Sequence, residues 1–225
     1  MRMRQEMILG MGGLQTLRKL GLNPTVCHMS EGHAAFLPSS ASASTWRTIE
    51  VRDFPTARQV LVKGNVFTTH TPVPAGFDVF QPEMLARYLG TTANKVGEPM
   101  PGFLRFGRFD AKNEAEHFNM AVLAMENSNH VNGVSELHAA VSRSMFQTRW
   151  KDYPEDEVPV DAITNGIHTL TWVSQRFADI FEQYLGSGWR DDPADPKNWE
   201  VSETFGRGSL ESPPRRARRP RSLLS

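Results

Sequence analysis

The chain has 225 residues, of which 39% are hydrophobic and 22% are charged, a composition typical of a globular protein that can bury a core. Its 25 basic and 25 acidic residues cancel, which argues against a general attraction to nucleic acid or to a membrane. A single cysteine excludes an internal disulfide framework, and no run approaches the roughly 20 apolar residues of a membrane span. We therefore expect a cytoplasmic protein.

The first half of the chain alternates helical and extended patterns. Near the N-terminus, apolar residues recur at helical spacing, and Gly10, Gly12 and Gly13 favour close packing of this helix. Its predicted buried face consists of Met7, Ile8, Met11, Leu14 and Leu17. The predicted elements are a helix over 3–20 that ends at Gly21, a buried strand over 24–28, a short helix over 55–63, a strand over 65–70, a helix over 82–89 closed by Gly90, and a loop over 91–112 with one weak strand at 103–109.

The second half continues the same alternation. The predicted elements are a helix over 113–127, a short strand and turn over 129–135, a helix capped by Ser135 that runs to about Trp150, a strand over 158–163, and a helix over 174–185 that stops at Gly186. Helices and strands that alternate with short connections predict an α/β fold with a parallel sheet rather than a β-sandwich.

The segment from Asn65 to Gly76 is the most informative part of the sequence. A run of β-forming residues stops at His70, and a Pro-x-Pro-x-Gly turn then directs the backbone away, because proline does not continue a central strand. Polar residues at the carboxyl end of a strand lie where open α/β sheets bind ligands. We therefore treat His70 and its neighbours as candidate binding residues, with an ordinary surface loop as the alternative.

Two further predicted strand ends carry similar side chains. His28 ends the first strand and Glu31 and His33 come just after it, while Thr164-Asn165-Gly166 with His168 follow the last. In a parallel sheet these ends lie along one edge, so the groups can line a single cleft. Hydroxyl, amide, imidazole and carboxylate groups are suited to binding sugar hydroxyls.

Other chemistries are less well matched. A metal site at His28, Glu31 and His33 is the main rival, although the spacing fits no familiar zinc pattern. A serine hydrolase would need a Gly-x-Ser-x-Gly elbow, which the sequence lacks. The remaining histidines, His117, His130 and His138, are expected to be structural.

Six pieces of the sequence occur in the order found in the α-glucan (glycogen and maltodextrin) phosphorylases, and the chain resembles this family, particularly its bacterial and archaeal branch. The most specific piece is Val66-Phe-Thr-Thr-His-Thr-Pro-Val-Pro-Ala-Gly76. The others are Arg4-Gln-Glu-Met-Ile-Leu-Gly10, His28-Met-Ser-Glu-Gly-His33, Phe118-Asn-Met-Ala-Val-Leu123, Val131-Asn-Gly-Val-Ser135 and Ile163-Thr-Asn-Gly-Ile-His168.

The resemblance implies a glycosyltransferase-B architecture of two Rossmann-like domains around a cleft, with residues 1–203 forming part of the first domain. It implies transfer of a terminal glucosyl unit from an α-1,4-glucan to inorganic phosphate, which gives α-glucose 1-phosphate with retention of configuration. Pyridoxal phosphate is the implied cofactor, and its 5′-phosphate acts as a proton relay. His70 matches the histidine that contacts the reacting glucosyl unit, and the implied substrate-binding residues are Glu31, His33, Thr69, Asn165 and Gly166.

The sequence also departs from this family. Ser30 stands where the family usually has asparagine. Family members are several times longer, and their glycine-rich phosphate loop, their cofactor lysine and their basic phosphate-binding residues have no counterpart here. We therefore expect that this chain alone neither holds pyridoxal phosphate nor turns over glucan.

Two segments look foreign to the family. Residues 38–50 are low in complexity and resemble an out-of-frame reading of a family helix, which the coding DNA would test. Residues 204–225 form a basic tail that we expect to be disordered, with six arginines among the last twenty residues. The alternatives to a phosphorylase are a non-catalytic glucan-binding fragment, a glycogen synthase, and a nucleic-acid binder that uses the tail; we expect no nucleic-acid partner, because the rest of the chain lacks a basic patch.

Overall fold

The computed structural model describes residues 1–38, 54–95 and 98–204, so the expectations for 38–50 and 204–225 lie almost entirely outside the described residues. The chain forms two compact units, Met1–Asn165 and Gly166–Ser225. None of the helices within the described ranges is long and apolar enough to cross a membrane.

The first unit contains a parallel sheet, as the sequence predicts. Its strands are β1 (Cys27–Ser30), β2 (Asn65–Thr69), β3 (Val79–Phe80), β4 (Phe118–Asn119), β5 (His130–Gly133) and β6 (Asp161–Ala162). Four of them form a parallel sheet in the order β1-β2-β5-β6, and β3 pairs antiparallel with β4. Ser30 lies opposite Thr68 and Thr69 lies opposite Gly133, so the strands end nearly level with one another.

The helices of the first unit connect these strands. They are α1 (Arg2–Met7), α2 (Gly13–Lys19), α3 (Phe54–Val62), α4 (Pro82–Lys95), α5 (Met100–Leu104), α6 (Met120–Glu126) and α7 (Glu136–Phe146). A π-helical turn at Ile8–Gly12 joins α1 to α2, which confirms the N-terminal helix predicted over 3–20. The predicted helix over 55–63 corresponds to α3.

The buried face of the N-terminal helix differs from the prediction. Its buried residues are Met3, Glu6, Gly10 and Leu14. Ile8 and Leu17, which were predicted to be buried, are exposed. The close approach of Gly10 decides which face turns inward, since a Cβ atom there would lie 2.9 Å from the backbone nitrogen of Leu37.

Two predictions between residues 82 and 112 are wrong. α4 does not end at Gly90 but continues to Lys95, because one glycine costs a helix only about 1 kcal/mol and the inward-facing Leu89 and Ala93 are both buried. The predicted weak strand at 103–109 is instead the end of α5 followed by a 3₁₀ turn at Arg105–Gly107.

The helix predicted over 113–127 begins only at Met120. The two residues before it form β4 and pair with β3, which holds them extended. The side chain of Asn119 then caps α6 by accepting hydrogen bonds from the backbone N–H groups of Ala121 and Val122. All residues from Met120 to Met125 are buried, so α6 is a central helix of the first unit.

Other element boundaries are shifted or confirmed. β1 begins at Cys27 rather than at residue 24, and β6 covers only two residues of the predicted strand over 158–163. The Ser135 cap is confirmed, because its hydroxyl oxygen accepts a hydrogen bond from the N–H of His138 at 3.1 Å. The core of this unit includes Met29, Phe36, Phe67, Leu85, Phe118, Met120, Leu123 and Phe146.

The second unit is helical. Its elements are α8 (Thr169–Trp172), α9 (Gln175–Leu185), α10 (Gly188–Asp191) and a 3₁₀ segment at Pro196–Thr204. α9 matches the predicted helix and ends at Gly186, which has a positive φ of 73°. The ring of Phe181 packs edge-on against Trp189 and Trp199, at centroid distances of 5.2 and 5.3 Å. This aromatic cluster is a small core of its own.

Candidate functional site

The carboxyl ends of the four parallel strands lie at one edge of the sheet, as predicted from the sequence. The segments at these carboxyl ends are 30–33, 69–71, 133–135 and 163–165. They bring together the predicted site residues Glu31, His33, Thr69, His70 and Asn165, all within the first unit. The candidate site is this edge, which we call the carboxyl edge.

Residues at the carboxyl end of β1 contact His70 at two points. The Glu31 carboxylate accepts hydrogen bonds from the backbone N–H of His70 and from Thr71 Oγ1, the latter at 2.9 Å. The hydroxyl oxygen of Ser30 lies 3.1 Å from Nε2 of the His70 ring. The backbone and the ring of this exposed histidine are therefore both positioned by the neighbouring strand end.

The backbone of Glu31 is in a strained conformation. With φ 60° and ψ 172°, Glu31 is the only non-glycine residue in the described part of the chain with a positive φ. Such a conformation costs about 1–3 kcal/mol and is concentrated at functional sites. Its N–H donates to the carbonyl oxygen of Thr68 at 2.9 Å, and the following Gly32 packs so closely that a Cβ there would lie 3.0 Å from the nitrogen of Ala121. Contacts on both sides thus hold Glu31 in place.

A hydrogen-bonded chain crosses three strands next to this edge. Thr68 Oγ1 donates to Asn132 Oδ1 at 2.7 Å, and Asn132 Nδ2 donates to the carbonyl oxygen of Gly133 at 3.1 Å. A hydroxyl has one proton, so Thr68 Oγ1 must accept from Nε2 of His28, which lies 2.7 Å away. His28 therefore serves to link β1 to β2 and β5.

Four charged or titratable side chains form a second cluster at the carboxyl edge. Nε of Arg2 donates to Glu6 Oε1 and to Asp78 Oδ2, both at 3.1 Å. A terminal nitrogen of the same guanidinium lies 2.8 Å from Asp78 Oδ2 and 2.9 Å from Nδ1 of His33. This cluster, which we call the Arg2 cluster, connects the N-terminal helix to His33 and to the turn that follows His70.

The two carboxyl groups of the Arg2 cluster have opposite pKa shifts. Burial raises the pKa of Glu6 from 4.5 to about 8, and the neighbouring Asp78 adds to this effect. Partial burial would also raise the pKa of Asp78, but its hydrogen bonds to Arg2 and its interaction with Glu6 outweigh burial and hold that pKa below its ordinary value. Glu6 is therefore protonated at neutral pH while Asp78 is ionised and paired with Arg2.

The other predicted site residues are placed differently from one another. Thr69 is completely buried, and its hydroxyl has no hydrogen-bond partner among the described residues. Its part in substrate binding stays a prediction. Asn165 is exposed, and its backbone N–H donates to the carbonyl oxygen of Val134 at 3.1 Å. Gly166 opens the second unit, so its part in the site stays a prediction.

The residues of the rival metal site, His28, Glu31 and His33, do not come together as a group of potential ligands in the described part of the chain. Within residues 1–38, 54–95 and 98–204, the only three potential ligands that come together are Glu6, His33 and Asp78. The guanidinium of Arg2 lies among them, so a side chain already supplies positive charge there.

The structural role expected for three other histidines is confirmed for His138 alone. This residue is buried, and its Nδ1 accepts a hydrogen bond from the N–H of Val134 at 3.3 Å. His117 and His130 are exposed instead.

Sequence reasoning missed Arg2, Glu6, Asp78 and Asn132. Glu6 carries a usable signal, because it lies three residues after Met3 and four before Gly10, on the buried face of the helix. A carboxyl group at such a position needs a partner. Arg2 and Asp78 are separated by 76 residues, and no local pattern predicts their contact.

Comparisons with known proteins agree with the resemblance described above. The profile of the family described as carbohydrate phosphorylase matches residues 50–203, which is more than half of the chain. The chain is 40% identical to a maltodextrin phosphorylase of Thermococcus litoralis, over 84% of this chain and 22% of that protein. It is 36% identical to a glycogen phosphorylase of Mycobacterium tuberculosis, over 88% of this chain and 24% of that protein. The chain thus spans about a quarter of the length of these relatives.

Proposed function

Because the chain belongs to the carbohydrate phosphorylase family, we propose that its carboxyl edge supplies the sugar-binding side of an α-glucan phosphorylase active site. The proposed reaction of the whole enzyme is transfer of a terminal glucosyl unit from an α-1,4-glucan to inorganic phosphate, giving α-glucose 1-phosphate. The observation that carries the proposal is the two-point hold on His70 by Ser30 and Glu31. We also propose that the protein acts in the cytoplasm.

His70 is proposed as the residue that contacts the reacting glucosyl unit. Glucosyl transfer passes through an oxocarbenium-like state, and dipoles that are already oriented stabilise such a state at little cost in reorganisation. Ser30 engages Nε2 of the ring, and no described residue hydrogen-bonds Nδ1. Nδ1 is therefore the nitrogen that we assign to a sugar hydroxyl.

The remaining substrate-binding residues are assigned according to the exposed or unused hydrogen-bonding groups of each side chain. Oε1 of Glu31 is taken by His70 and Thr71, which leaves Oε2 to accept from a sugar hydroxyl. The His33 side chain is 44% exposed and can reach a glucan chain at the mouth of the site. The exposed amide of Asn165 can both donate to and accept from sugar hydroxyls. Thr69 and Gly166 remain proposed contacts, and the Thr69 side chain is buried.

Pyridoxal phosphate is proposed as the cofactor of the whole enzyme, but the carboxyl edge does not fit it. A Schiff base needs a lysine, and the four segments 30–33, 69–71, 133–135 and 163–165 contain none. Their imidazole, hydroxyl, amide and carboxylate groups are instead suited to binding a ligand with several hydroxyl groups. We therefore assign no residue of this edge to the cofactor.

The proposal is tested by titrating the 225-residue chain with maltoheptaose, an α-1,4-glucan, in a calorimeter. We expect wild type to bind and His70→Ala to bind at least about fivefold more weakly, because a substrate hydrogen bond is lost. His117→Ala, which changes an exposed histidine outside the edge segments, should bind as wild type. Absence of binding, or equal binding by His70→Ala, would overturn the sugar-binding assignment.

A second assay tests the assignment of one side of the site only. Pyridoxal phosphate, inorganic phosphate and maltoheptaose are added to the chain, and glucose 1-phosphate is measured. We expect none to form. Its release would show that the chain carries the phosphate side of the reaction as well, contrary to the proposal.

A further inference from the structure

We propose that Arg2 is a positioning residue that fixes the neutral ring of His33 with its hydrogen on Nε2, so that His33 presents a hydrogen-bond donor to a hydroxyl oxygen of the bound glucan. The inference of a fixed tautomer depends only on the contacts of the Arg2 cluster. The donor role toward glucan rests on the proposed function.

The tautomer follows from the donor and acceptor chemistry of arginine. A terminal guanidinium nitrogen of Arg2 lies 2.9 Å from Nδ1 of His33, within hydrogen-bonding distance. Arginine has five N–H donors and no acceptor, and it stays protonated in proteins. Nδ1 must therefore accept, and a neutral imidazole that accepts at Nδ1 carries its hydrogen on Nε2.

The alternative tautomer would require Nδ1 of His33 to donate to Asp78. Oδ2 of Asp78 lies 3.3 Å from Nδ1, which is farther than the Arg2 nitrogen. The same Asp78 oxygen already accepts from Arg2 at 2.8 Å. A hydrogen on Nδ1 would also face the N–H of Arg2, so two donors would oppose each other. The geometry therefore favours the tautomer with hydrogen on Nε2.

Two carboxyl groups aim the guanidinium at His33. Nε of Arg2 lies 3.1 Å from Glu6 Oε1 and from Asp78 Oδ2, while the Arg2 side chain as a whole is 49% exposed. The guanidinium is a rigid plane, so anchoring Nε and one terminal nitrogen also fixes the direction of the donor toward His33. Glu6 is buried on α1 and cannot follow a moving Arg2 side chain.

A fixed tautomer restricts what His33 can recognise. A ring with hydrogen on Nε2 offers a donor at the nitrogen that is not engaged by Arg2, and a hydroxyl oxygen of a sugar accepts it. The ring is partly exposed, and it follows the strained Glu31 by two residues, so its position relative to His70 is fixed as well. Sugar hydroxyls both donate and accept, which makes the direction of each protein hydrogen bond a specificity element.

The tautomer is measured by ¹⁵N nuclear magnetic resonance of the imidazole nitrogens in the full chain, through their two-bond couplings to the ring protons. Over a pH titration, we expect the neutral form of His33 in wild type to be a single tautomer with hydrogen on Nε2, and Arg2→Ala to give a mixture. Arg4→Ala is the matched control, because the Arg4 guanidinium faces the ring of Tyr88 at 5.4 Å and stands outside the cluster. Arg2→Lys keeps the charge but loses the planar donor pair, and we expect it to give a mixture too.

The outcomes separate this inference from the proposed function. A wild-type ring that is a mixture or carries its hydrogen on Nδ1, or an Arg2→Ala spectrum identical to wild type, overturns the fixed tautomer. The wild-type measurement decides the question even where Arg2→Ala does not fold. In maltoheptaose titrations we expect Arg2→Ala to bind about five- to tenfold more weakly; a shifted tautomer with unchanged binding overturns the donor role. If wild type binds no glucan, the proposed function fails while the tautomer result stands.

Discussion

Replacement of Glu6 by glutamine tests the electrostatics of the Arg2 cluster. Glu6 is 1% exposed, Oε1 accepts from Arg2, and Oε2 is buried without a hydrogen-bond partner in the described part of the chain. Burial, with a contribution from Asp78, raises the pKa of Glu6 to about 8. Glutamine has nearly the shape of a protonated glutamate and is neutral at every pH. The Glu6→Gln chain should therefore behave like wild type with the proton permanently in place.

The sign and size of the effect follow from proton linkage. The pKa of Glu6 is 4.5 in the unfolded chain and about 8 in the folded chain, so folded Glu6 keeps its proton to a higher pH. The folded state holds one more proton between these values, so the free energy of unfolding falls by about 1.4 kcal/mol per pH unit as pH rises through this window. The whole difference is at most about 5 kcal/mol. Asp78 has a depressed pKa, and its contribution is instead lost as pH falls below its ordinary value, outside this window.

The assay is urea unfolding of wild type and Glu6→Gln at pH 5, 6.5 and 8.5. We expect the variant to be within about 1 kcal/mol of wild type at pH 5 and more stable by several kcal/mol at pH 8.5. Glu83→Gln, which changes an exposed glutamate on α4, serves as the control and should show no such divergence. Parallel pH profiles for wild type and Glu6→Gln would refute the reasoning, because they would mean that folded Glu6 is ionised at neutral pH and forms an ordinary ion pair with Arg2.

Three further predictions concern the framework of the site, each measured by urea unfolding. Gly32→Ala should lower the free energy of unfolding by about 1–3 kcal/mol, because the new Cβ would lie 3.0 Å from Met120 Cβ. Gly13→Ala should not lower it, because nothing lies within 4 Å of a Cβ at that position. Thr68→Val should lose about 1–3 kcal/mol, because it leaves Asn132 and His28 without their shared partner, while the exposed Thr91→Val should change little. Ser135→Ala removes the α7 cap and should lower the free energy of unfolding by about 1 kcal/mol, whereas Ser135→Asp should keep most of the stabilisation by the cap. A Gly32→Ala or Thr68→Val chain as stable as wild type would contradict the close packing or the hydrogen-bonded chain, respectively.

The parts of the fold that the sequence predicts well are those with strong local signals. β2 is a run of β-forming residues ended by prolines, and α7 begins at a serine that caps it. The weak predictions depend on distant contacts. β3 and β4 are two residues long, which is too short to show the alternation of apolar and polar residues that predicts a strand. They form only because they pair with each other. Gly90 looks like a helix end, yet the burial of Leu89 and Ala93 carries α4 beyond it.

The candidate site divides in the same way. The edge location of His33, His70 and Asn165 follows from strand ends in a parallel sheet, which the alternation of elements predicts. The hydrogen-bond partners of these residues cannot be predicted from the sequence. Arg2, which contacts His33, is itself held by Asp78, a residue 76 positions away. The burial of Thr69 was also missed, since Thr68 and Thr69 are both buried at the end of β2 and the period of a half-buried strand predicts only one of them.

The two candidate histidines depend on one short segment, residues 30–33. Ser30 and Glu31 hold His70 from this segment, and His33 is its last residue. Glu31 stays in its strained conformation because the carbonyl of Thr68 and the carboxylate's own contacts with the His70 turn hold it there, and Gly32 admits the close packing beside α6. Arg2 then fixes His33 from the other side, through Glu6 and Asp78. The strain at Glu31 and the burial of Glu6 are thus costs in stability. They keep two imidazoles in one relative arrangement, which the proposed directional binding of a sugar requires.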